Sequence, residues 1–444
     1  VVTAGAPARP VVLLRLADAG DLHLTWRWTA GAHGYGSGYA PAPEVEQAVR
    51  ALAAALPGPG EAMRHALGAG AFADGRGELG LARLLAEALW PPGLTEQLRH
   101  VSGVAGRPVV RIQPSPRVAQ VPWELLTVDT DDTRLIDLAD VATAAPLSLR
   151  RPPGPPGPDG PQEPQEPQEP QAPQPLRAPQ AQTAGRDAVV LVLDPRIPGF
   201  RADSVLGSVL GPPGSDPALL ALVGRHLDSG TAVPAVAAPA EAFRRSDLDR
   251  DWLGGALRAG ARRLLYVGHV SGAPVDGGQS EDAALHLACG AQVPGLAEPV
   301  RGHRPLSAKD LLLGTLAGRP DGVPGARLWP APPRVALIAC ESGGDLRFAE
   351  SFGLAAAMLH NGAELVTATR WTLPTSFAFH RLAGLSESVR PLSEAVLAVD
   401  AAHDRPDPVG ALGGWQREQL ARWRTGHRIE HSPLLWAALT CITV

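Results

Sequence analysis

The sequence predicts an α/β protein: a mainly parallel sheet with helices on both faces, preceded by an α+β amino-terminal region. Three observations carry this. The runs Ala188–Leu193, Arg262–Gly268, Val335–Ala339 and Glu364–Thr369 are almost continuously apolar rather than alternating, as strands buried on both faces are. Segments of helical spacing lie between them, and this alternation of strand and helix implies right-handed crossovers. The stretch Val11–Thr29 differs: it holds two alternating runs around Ala19-Gly20-Asp21, the pattern of a hairpin, with Trp26 and Trp28 on one face.

Taken in order, helical patterns follow the hairpin at Pro43–Ala55, Glu61–Leu67 and Leu79–Leu89, and a strand is expected at Pro108–Ile112. The segment VPWELL, Val121–Leu126, has Pro122 to fix a turn and Trp123, Leu125 and Leu126 as an apolar anchor, so it reads as packing and not as catalysis. Between 151 and 186 the composition changes to a run of Pro-Gln-Glu triplets. Their period of three is that of a polyproline II helix, and a solvated, semi-rigid linker is expected rather than a docking motif. Beyond it come a helix at Pro217–Leu227, a strand at Thr231–Ala237 and a long helix at Glu241–Ala259 with Leu248, Trp252 and Ala256 inward. Ala284–Cys289 reads as a hairpin arm. Ser307 is an N-cap with Asp310 three residues on, for a helix ended by Gly314 or Gly318. A helix at Leu346–His360 closes on Asn361-Gly362, helices are expected at Pro391–Ala402 and Val409–Trp423, and Ser432–Val444 reads as a last strand. The domains expected are 1–100 (α+β, role unassigned: a sensing module, a prodomain or a first lobe of the same domain), 101–150, the linker 151–186, and 187–444.

The chain has 444 residues, a net charge of -5 and 45% apolar residues. That is a soluble globular profile with no general basic surface for nucleic acid. No apolar run reaches the roughly 18 residues a bilayer requires, and the first residues carry no secretory-signal pattern, so no membrane partner and a cytoplasmic location are expected. The start, which lacks Met, reads as processed or as part of a longer chain. Three cysteines, Cys289, Cys340 and Cys441, are too few and scattered for a disulfide framework or a zinc site, and a reducing compartment fits them. The preference for Arg, Ala, Gly and Pro points to a GC-rich bacterial genome.

The chemistry concentrates at two strand ends. The run Val335–Ala339 ends on Cys340 and breaks into Gly343-Gly344; the run Arg262–Gly268 ends on His269. The carboxyl ends of strands are where open α/β sheets bind ligands. A thiol and an imidazole at equivalent ends therefore point to a Cys/His pair, in which the imidazole withdraws the thiol proton or stabilises the thiolate. A buried structural thiol is the alternative for Cys340. His286 and His303 are rival bases, while Cys289 and Cys441 lie in apolar segments and read as core.

Six segments carry a family resemblance. LLYVGH (264–269), ALIACESGG (336–344), FGLAAAMLHNGA (352–363), VTATRWTL (366–373), SPLLWAALTCI (432–442) and, before the linker, VPWELL resemble, in order, a CHAT domain, the caspase-like cysteine peptidase domain of bacterial regulatory proteins, related to separase. The likeness covers roughly 100–444. It implies a caspase-like fold, a protein or peptide substrate, catalytic His269 and Cys340, and an oxyanion hole from the backbone amides of Val270 and Cys340. It implies no metal or organic cofactor. By family analogy, a protein activator or the amino-terminal region gates activity. A catalytically silent scaffold, or another thiol hydrolase or acyltransferase, is the competing expectation.

Two departures bear on specificity. Val270 and Ser271 intervene between His269 and Gly272, where the family often has Gly directly after its His. Thr375 stands where the separase-like pattern has the Asp that reads a basic P1 residue, so that preference loses its support. Asp194 at the end of the first strand after the linker is one substitute for the missing charge. Arg370 beside Trp371 resembles the caspase pocket Arg that favours an acidic P1, with a solvated strand-end charge as its alternative reading.

Overall fold

The computed structural model describes residues 9–29, 34–146, 187–274, 278–316 and 322–444. The proline-rich segment expected as a linker, 151–186, and Gly318 lie outside the described residues.

Fourteen strands are described: β1 (Val11–Ala19), β2 (Asp21–Trp28), β3 (Tyr35–Ala40), β4 (Val109–Gln113), β5 (Asp140–Ala144), β6 (Val189–Leu193), β7 (Ala232–Val233), β8 (Arg263–Val267), β9 (Val270–Ser271), β10 (Ala284–Leu285), β11 (Leu306–Ser307), β12 (Arg334–Ile338), β13 (Leu365–Thr369) and β14 (Leu439–Thr443). Eleven make one sheet in the order β3-β2-β1-β4-β5-β14-β13-β12-β8-β6-β7, and β11-β10-β9 make a second, small one. The large sheet is parallel except for the β1–β2–β3 meander and the β13–β14 pair. The amino-terminal hairpin is thus the edge of the same sheet, joined through β1 to β4 in parallel.

Strands β6 and β8 are buried at every residue, and their side chains divide by parity between two cores. Leu265, Val267, Ala336 and Ile338 face one core, together with Trp371, Trp423 and Trp436. Leu264, Tyr266, Val335 and Leu337 face the other, against Ala355, Met358 and Leu359. This is the two-faced burial that the continuous apolar runs demand.

Several expected elements are shorter than their apolar spacing implies. In place of a helix from Glu241, the chain makes a single turn at Pro239–Ala242, passes through Arg244 at φ +55°, and starts its helix at Arg250, where the Asp249 side chain accepts from the Trp252 amide. Likewise the helix expected from Leu346 begins only at Leu354. Asp345 turns back to accept from the Ala356 amide at 3.0 Å, and a side chain at Gly353 would collide with it. Strand β7 keeps two residues of the seven expected, and Pro433–Trp436 forms a helical turn ahead of β14. A helix at Pro92–Ala105 has no counterpart in the sequence reading. No helix among the described residues is long and apolar enough to cross a membrane.

The VPWELL turn ties the first half of the chain to the second. Glu124, 1% exposed, accepts from Arg370 Nη2 at 2.9 Å beside the end of β13, and Gln120 donates to the Arg370 carbonyl. Removing one partner of a buried pair strands the other charge. Glu124→Gln should therefore cost about 3 kcal/mol or more in chemical denaturation, and Glu124→Gln with Arg370→Met less than the sum of the two single changes. Additive losses would show that the two do not act as a pair.

Candidate functional site

Strands β6, β8 and β12 are adjacent and parallel, with Leu193 opposite Val267 and Val267 opposite Ile338. Continuing that register by two residues sets His269 against Cys340 on neighbouring strands, whose spacing is about 4.8 Å. The Gly268 amide donates to the Ile338 carbonyl, closing the last pair of the ladder, Val267 with Ile338. The sheet then opens. Glu341 adopts φ +51°, a left-handed conformation costly for a residue with a Cβ, and its amide donates to the Trp371 carbonyl while the Gly343 amide donates to Thr369. The reversal holds Cys340 at the sheet's rim, half-buried.

Burial pushes the Cys340 thiol up, the Leu373 amide opposes this, and the Glu341 carboxylate adds to the rise. Burial likewise holds His269 below its ordinary value, against the opposing pull of the Gly207 carbonyl and Asp194. The resting pair is therefore a neutral thiol beside a neutral imidazole.

The imidazole's orientation follows from one contact. His269 Nε2 lies 3.1 Å from the Gly207 carbonyl oxygen, which can only accept, so Nε2 carries the proton and Nδ1 keeps its lone pair. No hydrogen bond joins the His269 ring to the Cys340 sulfur among the described residues. The Gly207 loop is itself anchored. Asp194, 1% exposed and at φ +51°, accepts from Ser208 Oγ at 2.6 Å and from the amides of Val209 and Leu210, and pairs with Arg244 at 3.3 Å. Arg244 also donates to the Gly207 carbonyl at 3.0 Å.

Each proposed specificity residue has a definite place. Both oxygens of Asp194 are engaged, so it builds the loop that aims His269 and has none left for a substrate charge. Arg370 is not a solvated strand-end charge: it is 4% exposed and spends its guanidinium on Glu124 and the Ala437 carbonyl. Thr375 caps the helix Ser376–Ala383, accepting from the Ala378 amide. Among the backbone donors, Val270 lies on β9 and Cys340 follows β12. Cys289 and Cys441 are buried, and burial pushes the Cys441 thiol up to about 12. Among the described residues no cluster of His, Cys, Asp or Glu could hold a metal ion.

Gly207 and Arg244 escaped the sequence reading. Gly207 acts through a carbonyl, which every residue has, in an irregular stretch with no periodicity. Arg244 was hidden inside an expected helix. Glu341, next to Cys340, pairs with Arg347 at 3.1 Å.

Compared with known families, the model of the CHAT domain matches residues 79–443. No curated protein matches the chain.

A raised thiol reacts only where the solution is alkaline enough to ionise it. The rate of Cys340 alkylation by iodoacetamide should climb with pH to a midpoint above the ~8.5 of a free thiol. A rate already on its plateau at pH 6 would contradict the neutral resting pair.

Proposed function

The chain belongs to the CHAT domain family, a caspase-like, peptidase-related group, and from that premise we propose that it is a cysteine endopeptidase acting through Cys340 and His269. The observation that carries this reading is the register of β8 and β12, which sets an imidazole and a thiol at matched positions on adjacent strand ends. His269 Nδ1, free of a proton because Nε2 donates to Gly207, takes the thiol proton as Cys340 Sγ attacks the scissile carbonyl. The same proton then passes to the leaving amine, and water cleaves the thioester. The Val270 and Cys340 amides receive the oxyanion.

The neutral pair supports the regulated form of this reading, in a bacterial signalling or defence pathway in the cytoplasm. Burial stores the thiol in its protonated form, and substrate or a protein activator shifts that balance on binding. The competing reading, a silent caspase-like scaffold or binding module, draws on the lack of a direct hydrogen bond between His269 and Cys340 in this conformation.

Cleavage of a proteome-derived peptide library, read by mass spectrometry with and without lysate as a source of activator, decides between them. Wild type should cut, and Cys340→Ala and His269→Ala should each lose roughly 10³-fold or more of that activity. The P1 residue would emerge from the same data. Indistinguishable product lists for wild type and Cys340→Ala would leave the scaffold reading standing.

A further inference from the structure

We propose that Ser271, His286 and His303 are positioning residues of the Cys340 centre, and that they hold the Val270 amide in its oxyanion-binding orientation through a one-way chain of hydrogen bonds. The inference rests on the peptidase reading. Ser271 Oγ lies 2.7 Å from His286 Nε2, His286 Nδ1 lies 3.1 Å from His303 Nε2, and His303 Nδ1 lies 2.8 Å from the Cys289 carbonyl oxygen.

Only one proton arrangement satisfies all three contacts with neutral rings. The Cys289 carbonyl can only accept, so His303 carries its proton on Nδ1 and offers the Nε2 lone pair. His286 must then donate from Nδ1, which leaves its Nε2 as an acceptor, and Ser271 must donate its hydroxyl proton inward. Burial holds both imidazoles below their ordinary value, His286 down to about 3, and so favours the neutral form of each ring. His303 is fully buried and His286 nearly so, while Ser271 is exposed.

What the chain fixes is β9. This strand has two residues and lies at the edge of the small sheet, with β10 on one side only. His286 donates its amide to the His269 carbonyl at 3.1 Å, and the Tyr266 hydroxyl lies 2.6 Å from the same oxygen. Bonded and non-bonded pairs alternate along an antiparallel ladder. A bond between positions 269 and 286 therefore turns the Val270 amide away from β10, free to meet a substrate oxygen. Val270 sits between two bonded ladder pairs, His269 with His286 and Ser271 with Ala284, and the Ser271 hydroxyl adds a side-chain bond to His286 on the second side. Without the hydroxyl bond only the short backbone ladder to β10 holds this edge strand, and the aim of the amide loosens. His303 serves by holding the His286 ring to the orientation in which Nε2 faces Ser271.

The test separates oxyanion binding from thiol reactivity. Iodoacetamide alkylates Cys340 without forming an oxyanion, whereas a peptide aldehyde forms a hemithioacetal whose oxygen occupies the oxyanion position. A pool of peptide aldehydes varied at P1 is titrated for protection of Cys340 against iodoacetamide, in wild type, Ser271→Ala and Ser271→Thr. Ser271→Ala should raise the protecting concentration about tenfold or more. It should leave the unprotected alkylation rate and Tm unchanged, and Ser271→Thr, which keeps the hydroxyl, should restore protection. Equal protection of wild type and Ser271→Ala, or a matching loss of alkylation rate and Tm, would overturn the positioning role. Failure of any aldehyde to protect wild-type Cys340 is a different result: it would overturn the peptidase reading, and the positioning role with it.

Discussion

The in-register parallel pairing of β8 with β12 is the constraint on which the rest of the site depends. Two residues 71 positions apart in the chain come to matched positions because both strands run the same way, end together and are followed by one linking residue each. A slip of one residue in either strand would turn its functional side chain to the opposite face. The two cores enforce the register, since Leu264 and Val335 belong on one face while Leu265 and Ala336 belong on the other. Burial on both sides resists that exchange, so the same packing that stabilises the sheet also sets His269 and Cys340 at matched strand ends.

Around this frame, polar groups at the rim act mostly by fixing backbone. Asp194 and Arg244 hold the Gly207 carbonyl, that carbonyl sets the His269 tautomer, and His286 with Tyr266 holds the His269 carbonyl on the other side. Both Asp194 and Arg244 have positive φ, as does Glu341 after Cys340. Strained conformations of this kind persist only where surrounding contacts over-determine them. Three of them around one sheet end mark the place where the fold gives up backbone comfort for geometry. The buried Glu124–Arg370 pair extends the support to the VPWELL turn, which reaches the site from the other half of the chain.

Strands β6, β8, β12 and β13 were legible because two-faced burial writes itself as continuous apolar runs, and the runs ending on His269 and Cys340 could be placed at strand ends from sequence alone. Strands β3 and β5, whose sequences YGSGYA and DVATA are no such runs, were not read. Helix lengths were less legible. At 241–249 and 346–353 apolar spacing continues, yet Asp249 and Asp345 claim backbone amides and start the helices later, a choice that depends on tertiary neighbours such as Gly353. The specificity residues misled for a related reason. A charge at a strand end looks solvated or substrate-facing in sequence, and the partners that bury Asp194 and Arg370, Arg244 and Glu124, lie 50 and 246 residues away. Gly207 left no trace because its function resides in a carbonyl. The pairing of His286 with His303 was likewise hidden, since the residues between them give no sign that the chain folds back on itself.

Whether His269 and Cys340 act on one substrate carbonyl is visible in a crystal structure of the protein with a peptide aldehyde captured on Cys340. His269 Nδ1 should lie within about 4 Å of the sulfur or the hemithioacetal oxygen, with Nε2 still on the Gly207 carbonyl and the amides of Val270 and Cys340 directed at that oxygen. An imidazole more than roughly 7 Å from the adduct, with its Gly207 bond intact, would contradict that joint action.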